Sequence, residues 1–410
     1  MALRCSSFIV LCLMFEGGTN ALQHVTNWQI LPHIERRDVF RGAAAASVAF
    51  ASGGAFASGG AFASGGNAAS ASPLPRSLVS IDQHPIIPVW PSWAGGRVVP
   101  VSLDINQADP FLLLAHHKHW FDPRDPLRKP FQAFGKATGL PYIDVEGFKM
   151  HPHRGFDILT YILDGSDGFQ HKDSLGGSRT YHGGQAQWMR CGSGVLHEEF
   201  WETRSDRRTD IELFQIWINL PRERKFDEPA VRYVGKGTDH PWEEHVIVND
   251  ADKLGRRVVV RNIGATLESA TTQHRVEGSS AIETRPPVNL QRVRLDSGAE
   301  WTVHIPRQDS AVVYVREGVA SLPSSGKKVP ALQTATFAAD GDIIVIRNDG
   351  QRKGDTLDLL LMIGAPLREP VAMGGPIVMN TEREINDAYR QLSDGSFLDR
   401  ERVLRQQNKS

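Results

Sequence analysis

Residues 151–165 read HPHRGFDILTYILDG, and residues 192–199 read GSGVLHEE. In each stretch glycines stand beside a short apolar run, which is typical of a β-strand next to a tight turn. Each stretch also carries two polar side chains separated by one residue, and residues two apart on a strand project from the same face. We therefore expect His151 and His153 to share one face of a strand, and His197 and Glu199 to share one face of another.

The rest of the chain beyond about residue 97 has the same short β-rich pattern. Apolar, β-branched segments alternate with Gly, Pro, Asp and Asn, and we assign strands at residues 98–103, 158–163, 211–220, 311–315 and 343–347. Many short strands with regular turn signals favour a sandwich or barrel. A polar stretch at 227–245 precedes a second β-rich block at 290–363. The sequence therefore predicts an all-β fold with two β domains joined by a linker.

Only the C-terminal region has a helical pattern. Thr381 and Glu384 form a capping box, and the apolar residues that follow recur at the spacing of one helix face, namely Ile385, Ala388, Tyr389 and Leu392. We expect this helix to pack against a β domain.

Four regions follow from these patterns. We predict a targeting presequence at 1–76, a first β domain with the paired motifs at 77–225, a second β domain at 226–376 and a helical tail at 377–410.

The predicted presequence has two parts. Arg4 and an apolar run at 7–15 are typical of a signal peptide, and the repeat ASGGAF at 51–56 and 57–62 has the small-residue composition of a transit peptide. Two-part presequences of this kind direct proteins to plastids bounded by extra membranes. The pair Arg36-Arg37 resembles a twin-arginine signal, so the thylakoid lumen stands beside the stroma as destination. Secretion or retention in the endomembrane system is the alternative, and no membrane association is expected of the mature form.

Composition excludes other classes of function. The chain has 410 residues, 40% of them hydrophobic and 23% charged, with a formal net charge of −1. A chain without a global positive field does not attract a phosphate backbone, so nucleic acid is not an expected partner. Of the three cysteines, Cys5 and Cys12 lie in the presequence and Cys191 stands alone, so no internal disulfide is expected.

The two pairs of polar residues suit a metal ion if their strands are neighbours. Together they supply three imidazoles and one carboxylate, which suit Fe, Mn, Co, Ni or Cu better than Ca or Mg. Four protein ligands on an octahedral ion leave two positions for water, dioxygen or a chelating substrate. Surface and core histidines without a metal are frequent, and they are the alternative interpretation of either pair alone.

Further motifs surround these pairs in a characteristic order. They are HPHRGFD at 151–157, TYILDG at 160–165, DSLG at 173–176, QWM at 187–189, GSGVLHEE at 192–199, QIWINL at 215–220, GAPLREP at 364–370, GP at 375–376 and MNT at 379–381. With these motifs the chain resembles the pirin family of the cupin superfamily over nearly all of its length beyond about residue 97.

The resemblance implies a bicupin, in which two jelly-roll barrels are followed by a C-terminal helix and only the first barrel holds metal, usually iron(II). It implies that His151, His153, His197 and Glu199 are the metal ligands. Mn, Co, Ni and Cu are the alternatives to iron. The second barrel, with His304 as the histidine of its β-rich block, is then a metal-free partner.

Two functions are compatible with this resemblance. The first is a dioxygenase similar to quercetin 2,3-dioxygenase, in which Glu199 takes a proton from a flavonol-like or other enolic or phenolic small-molecule substrate. The second is a non-enzymatic redox or regulatory protein that binds a protein partner according to the state of its iron. A structural bicupin that keeps its metal without turnover is a third alternative.

Three other features have simpler interpretations. His116, His117 and His119 form a rival histidine cluster, for which packing or a position at the pocket mouth is expected. Arg154 is expected to form a structural ion pair beside the site. Cys191 is expected to be a small buried hydrophobe, with a redox-sensitive thiol as the alternative.

Overall fold

The computed structural model describes residues 72–88, 95–126, 129–130, 133, 143–144, 146–238, 244–249, 255–265, 287–352 and 354–407. The predicted presequence up to residue 71 therefore lies outside the described residues. Within the described ranges, no helix is long and apolar enough to cross a membrane.

Short strands dominate the described chain. In chain order they are β1 (Leu78–Gln83), β2 (Ile87–Pro88), β3 (Arg97–Ser102), β4 (Phe111–Phe121), β5 (Ile143–Asp144), β6 (Gly147–His153), β7 (Phe156–Ile162), β8 (Phe169–Asp173), β9 (Ser178–Tyr181), β10 (Gln185–Arg190), β11 (Val195–Trp201), β12 (Thr209–Asn219), β13 (Ala230–Gly235), β14 (Glu244–Asn249), β15 (Arg256–Ala265), β16 (Val288–Leu295), β17 (Glu300–His304), β18 (Ser310–Glu317), β19 (Val319–Leu322), β20 (Lys327–Pro330), β21 (Gln333–Phe337), β22 (Ile343–Asn348), β23 (Leu357–Gly364), β24 (Ala372–Gly374) and β25 (Ile377–Met379). The helices are α1 (Ile105–Ala108), a 3-10 turn (Arg222–Arg224), α2 (Glu382–Asp394) and α3 (Arg400–Gln407).

The strands form two barrels of the same design. In the described part of the chain, the first barrel pairs a large sheet of order β13-β10-β7-β12-β4-β3-β2 with a small sheet of order β5-β6-β11-β8-β9. The second barrel pairs a large sheet of order β1-β21-β18-β23-β16-β15-β14 with a small sheet of order β17-β22-β19-β20. The two-barrel cupin architecture and the all-β class predicted from sequence are therefore confirmed.

The five segments assigned to strands from sequence correspond to β3, β7, β12, β18 and β22. The stretch at 227–245, predicted as a linker, also contributes to both barrels. Its strand β13 pairs with β10 of the first barrel, and its last residues begin β14 of the second. Its two prolines and its charge concealed these strands, because both are unfavourable signals for strands.

The N-terminal end of the described chain belongs to the second barrel. Strand β1 pairs with β21 rather than with the neighbouring first barrel. Before it, Arg76 is buried and donates to the carbonyl oxygens of Asp309 at 2.6 Å and Gly341 at 3.2 Å, and also to that of Pro306. Arg76, the last residue of the predicted presequence, is therefore part of the folded body.

The large sheets of the two barrels pack against each other. Apolar side chains from both sheets form one buried cluster, which includes Leu114, Leu159 and Phe214 from the first barrel and Leu290, Val312 and Leu360 from the second. Such close-packed apolar burial is the main stabilising contribution to an interface within one chain.

Ion pairs border this apolar cluster. Arg316 of the second barrel donates from Nε and Nη2 to the two carboxylate oxygens of Glu212, each at 2.8 Å. Arg292 likewise reaches across to Asp164 at 2.8 Å and pairs with Asp358 of its own barrel at 2.7 Å. The bidentate geometry fixes the relative position of the two large sheets.

The C-terminal tail returns to the first barrel. Helix α2 begins after the N-cap Thr381, whose side chain accepts from the backbone N–H of Glu384, and ends at Gly395 with φ of 76°. Its buried residues are Ile385, Ala388 and Gln391. The predicted capping box and helix face are confirmed, with the difference that the Glu384 carboxylate accepts from the backbone N–H of Asn380 at 3.1 Å.

Candidate metal centre

The two motif strands are neighbours in the small sheet of the first barrel. Strands β6 and β11 run antiparallel, with His197 opposite His151 and Val195 opposite His153. The adjoining turn requires a glycine, because Gly155 has φ of 84° and a Cβ there would collide with the carbonyl oxygen of Val378. This tight contact holds the end of β6 against β25 of the tail.

Three of the predicted residues converge. The ring centroids of His151 and His197 lie 4.3 Å apart, those of His151 and His153 lie 4.8 Å apart, and those of His153 and His197 lie 4.9 Å apart. One nitrogen from each ring lies within 4.8 Å of the others. His153 and His197 are buried, and His151 is partly buried. The structure thus brings together the three histidines that the sequence predicted.

Backbone carbonyls orient two of these rings. His151 Nδ1 lies 2.7 Å from the carbonyl oxygen of Lys149, and His153 Nδ1 lies 3.2 Å from that of Pro376. A carbonyl only accepts, so each Nδ1 carries the proton and each Nε2 keeps the lone pair. A hydrogen bond from the ring nitrogen that does not bind metal is typical of a ligating histidine, because it selects the tautomer whose other nitrogen can bind metal.

Glu199 occupies the next inward position of β11. The pairing with β6 shifts register between His197 and Glu199, so Glu199 lies opposite Phe148 on one side and opposite His171 of β8 on the other. Gln215 Nε2 donates to Glu199 Oε2 at 3.1 Å. Burial raises the pKa of Glu199 to about 7, and the hydrogen bond from Gln215 opposes that rise.

The structure adds His171, which sequence reasoning missed. Its ring centroid lies 5.3 Å from that of His197, and one donor atom each from His171, His197 and Glu199 lies within 4.8 Å of the others. The signal was available, since His171 and Asp173 have the same two-residue spacing as the predicted ligands and occupy buried positions of the alternating strand β8. Glu199 is therefore grouped with His171 and His197 rather than with His151 and His153.

The residues present fit a divalent transition metal. Burial lowers the pKa of His151 to about 4, and it lowers the pKa values of His153 and His197 well below the usual range. The three rings are therefore neutral at physiological pH, as metal ligation requires. His197 Nε2 is buried and has no hydrogen-bond partner among the described residues. A buried, unsatisfied nitrogen costs about 1–3 kcal/mol, which a bound cation would offset.

The rival histidines have packing roles. His116 Nε2 lies 2.8 Å from Glu212, and its Nδ1 lies 2.8 Å from the Tyr314 hydroxyl of the second barrel. His117 Nδ1 lies 3.0 Å from His119 Nε2, and His119 Nδ1 lies 3.2 Å from the carbonyl oxygen of Gly95. All three rings are buried, so the interpretation as packing residues is the one that the contacts favour.

Arg154 differs from its expected role. In the described structure it forms no ion pair but donates to the carbonyl oxygens of Ser193 at 2.6 Å and Phe397 at 2.9 Å and to Gln391 Oε1 at 2.6 Å. Its guanidinium carbon also lies 4.1 Å from the centre of the Phe397 ring. The expected ion pair was wrong because the tail supplies neutral acceptors from positions more than 200 residues away.

Cys191 is fully buried, and burial raises the pKa of its thiol well above the usual range. A thiol in this state is neither a metal ligand nor a ready nucleophile. Its interpretation as a small buried hydrophobe is therefore favoured over that of a redox sensor.

Comparison with known proteins agrees with this architecture. The family model Pirin matches residues 99–218, and the model of the pirin C-terminal cupin domain matches residues 290–398. Pirin-1 of Arabidopsis thaliana is 32% identical over 251 residues, which are 59% of this chain and 75% of that protein. A Vibrio cholerae protein with the provisional name quercetin 2,3-dioxygenase is 30% identical over 253 residues, 62% of this chain and 80% of that protein.

A solved structure shares the fold. The crystal structure of quercetin 2,3-dioxygenase from Acinetobacter baumannii has a TM-score of 0.61 and 24% identity, and the match covers 79% of this chain and 99% of that one. Fold, motifs and family models together define the class of protein as a bicupin. The chain belongs to the pirin family.

Proposed function

We propose that the first barrel holds one divalent transition metal through His151, His153, His197 and Glu199, and that the protein is a metal-dependent dioxygenase. Iron(II) is the proposed metal, with Mn, Co, Ni and Cu as alternatives. The proposed substrate is a flavonol-like or other enolic or phenolic small molecule that chelates the metal.

The observation that carries the metal proposal is the buried His197 Nε2, which has no hydrogen-bond partner among the described residues. Its ring lies within 5 Å of the buried ring of His153 and of the partly buried ring of His151. Hydrogen bonds to Lys149 and Pro376 already hold His151 and His153 in the tautomer that leaves Nε2 unprotonated. A core built only for packing gains nothing from such an arrangement, because each polar ring displaces apolar contacts.

The chain's own residues suit this chemistry. A bound metal of this kind supplies a Lewis acid and a redox partner for dioxygen beside the chelated substrate. Glu199 provides a carboxylate that can accept the proton of an enol or phenol, and Gln215 holds the Glu199 carboxylate in place at 3.1 Å. The surrounding core excludes water, since Trp217, Phe156 and Ile158 are buried on the neighbouring strands.

The relatives support the reaction class without deciding it. A Vibrio cholerae relative at 30% identity carries the provisional name of quercetin 2,3-dioxygenase, while Arabidopsis relatives of similar identity are named as pirins. The substrate class therefore stays wide in this proposal.

The test combines metal content with oxygen uptake. The full chain, loaded with Fe(II) under anaerobic conditions, is expected to bind about one metal per chain and to consume oxygen when quercetin is added. His151→Ala and Glu199→Ala are expected to lose metal and uptake, whereas His304→Ala, an exposed histidine of the second barrel, is the matched control and keeps both. A parent chain that binds metal stoichiometrically without quercetin-dependent oxygen uptake would refute activity as a quercetin dioxygenase, and one that binds no metal would refute the metal site.

Burial of the site favours a second candidate function. His153, His197 and Glu199 have at most 3% of their surface exposed, and His153 Nδ1 contacts the carbonyl oxygen of Pro376, the residue before β25. A closed site of this kind suits a protein whose metal state changes the surface that a protein partner binds. Pull-down with the Fe(II)- and Fe(III)-loaded chain tests this, and equal recovery of every partner in the two states excludes it.

A further inference from the structure

We propose that His171 and Asp173 form an orienting pair that holds His197 in its Nδ1–H tautomer and so presents His197 Nε2 to the metal. The proposal rests on the proposed metal site and deepens it. It assigns positioning roles to two residues of β8, and neither residue is itself a ligand in this arrangement.

The first observation is a continuous row of polar atoms across two strands. Asp173 Oδ2 lies 2.9 Å from His171 Nε2, and His171 Nδ1 lies 3.4 Å from His197 Nδ1. The row ends at His197 Nε2, which is buried and has no hydrogen-bond partner in the described ranges. Strand pairing sets the row, since Asp173 lies opposite His197 and His171 lies opposite Glu199.

The second observation is that the Asp173 carboxylate cannot turn. Its Oδ1 accepts from the backbone N–H of Leu175 at 2.8 Å and from that of Gly177 at 3.0 Å. The turn after β8 therefore fixes which oxygen is left for His171. The carboxylate is buried, so water does not compete with His171 for that oxygen.

The donor and acceptor roles are then fixed in sequence, from Asp173 through His171 to His197. An ionised carboxylate only accepts, so His171 Nε2 carries a proton and, in the neutral ring, His171 Nδ1 is an acceptor. His197 Nδ1 must then be the donor, which leaves the lone pair on His197 Nε2. Hydrogen-bonded carboxylates behind ligating histidines set tautomer and basicity in this way, and their loss typically costs about 10–100-fold in metal affinity.

A single substitution exchanges the donor and acceptor roles along the row. In Asp173→Asn the amide oxygen must keep accepting from Leu175 and Gly177, because an amide NH₂ cannot accept hydrogen bonds. The NH₂ group then faces His171 Nε2 and donates to it. His171 Nδ1 becomes the donor, so His197 Nδ1 must accept and the proton moves to His197 Nε2, where it opposes the metal.

The first measurement uses the metal-free full chain. Long-range ¹H–¹⁵N spectra of the histidine rings are expected to show His197 as the Nδ1–H tautomer in the parent and as the Nε2–H tautomer in Asp173→Asn. Lys172→Ala is the matched control, since Lys172 lies between the two residues on β8 with its side chain 62% exposed. An unchanged His197 tautomer in Asp173→Asn overturns the proposal.

The second measurement is metal affinity by competition with a chelator, with Co(II) as the probe. Asp173→Asn is expected to bind Co(II) about 10–100-fold more weakly than the parent, while Lys172→Ala stays within about twofold. His171→Gln, which removes the ring but keeps a polar side chain, is expected to weaken Co(II) binding without changing the visible absorption of the bound ion. A changed absorption spectrum in His171→Gln would make His171 a ligand and overturn the positioning role.

The two measurements separate this proposal from the metal site itself. A parent chain that binds no Co(II) or Fe(II) refutes the proposed function, whereas the tautomer experiment needs no metal. Equal Co(II) affinity of the parent and Asp173→Asn, with the parent binding one ion, refutes the orienting pair alone.

Discussion

The two barrels share the order of their central strands and have different linings. In the small sheet of the first barrel, β6, β11 and β8 direct His153, His197, Glu199 and His171 inward. The corresponding strands β17, β22 and β19 of the second barrel direct Trp301, Val303, Ile344, Ile346, Ala320 and Leu322 inward. The large sheets of both barrels carry apolar clusters, and in the first barrel Phe156 and Trp217 contact the ring of His153.

This difference shows that the fold accommodates a histidine-containing lining as well as an apolar one. The two linings are stabilised by different interactions. Each fully buried Val, Ile or Leu of the second barrel contributes roughly 1.5–3 kcal/mol through the hydrophobic effect. In the first barrel, buried imidazoles bring polar atoms that require partners, and His197 Nε2 has none among the described residues. The described lining of the second barrel is stabilised by apolar burial, whereas the proposed ion would offset the unsatisfied nitrogen in the first.

The largest effect, complete loss of metal binding, is expected from giving the first barrel the lining of the second. The double variant His151→Val, His197→Ile should bind no Fe(II), because two of the four proposed ligands are absent. Without metal, the free energy of unfolding of the variant should equal that of the parent or exceed it by about 1 kcal/mol, because the variant lacks the unsatisfied buried nitrogen. Metal analysis and urea denaturation with and without Fe(II) measure both effects.

The parent is the control for this experiment. Fe(II) at 100 times its dissociation constant should raise the parent's free energy of unfolding by about 2.7 kcal/mol and leave the double variant unchanged. An Fe(II)-dependent rise of equal size in both proteins would show that the ion binds elsewhere.

A second effect concerns the arginines that attach the chain ends to the opposite barrels. Arg154 ties the tail to the first barrel and Arg76 ties the N-terminal strand to the second, each through three hydrogen bonds to neutral acceptors. We expect Arg154→Met and Arg76→Met each to lower the free energy of unfolding by on the order of 3 kcal/mol, because buried acceptors lose their donor. Chemical denaturation measures the loss.

Amide hydrogen exchange distinguishes the effects of the two arginine substitutions. In Arg154→Met the amides of α2 and of Val378 should exchange faster, and metal affinity should fall because Pro376 supports His153. In Arg76→Met the faster amides should be those of β1 and β21, with metal affinity unchanged. Loss of metal affinity in both variants alike would argue against a specific link between the tail and the site.

Sequence reasoning was most reliable where local pattern determines structure. The apolar, β-rich runs of β7 and β12 and the capping box at Thr381 are local patterns, so they were visible in the sequence. The three histidines were found because a two-residue spacing on a strand is itself a local rule.

The contacts that could not be predicted from the sequence are those between residues far apart in the chain. Arg154 meets Gln391 and Phe397, and β1 pairs with β21, across separations of more than 200 residues. No periodicity encodes such pairings. His171 has a visible two-residue spacing to Asp173, but its position opposite Glu199 depends on the register between β8 and β11, which a single sequence does not show.

A third, smaller effect on stability is expected at the interface between the two barrels. Burial raises the pKa of the Glu212 carboxyl, but hydrogen bonds from His116 and Arg316 outweigh burial, and its net pKa lies below the usual 4.5. A carboxyl with a lowered folded-state pKa contributes stability that is present above pH about 4.5 and is lost as pH falls below it. Glu212→Gln should therefore cost about 2 kcal/mol at pH 7 and less at pH 3.5.

Denaturation of parent and variant at the two pH values gives this difference directly. Glu317→Gln is the control, because Glu317 is largely exposed and its ion pair with Arg316 joins two residues of the same strand, β18. A Glu212→Gln penalty that stays constant from pH 7 to pH 3.5 would show that the carboxylate charge does not contribute to joining the two large sheets.

The smallest effect is expected at the start of α2. Thr381→Ala removes the side chain that accepts from the backbone N–H of Glu384 and should lower the free energy of unfolding by about 1 kcal/mol. Thr381→Ser keeps the hydroxyl oxygen and should restore most of that stability. Because α2 carries Gln391 to Arg154, the alanine variant should also speed amide exchange in α2 while leaving the second barrel's β18 and β23 unchanged. Faster exchange in both barrels would mean that the tail stabilises both barrels rather than the first barrel alone.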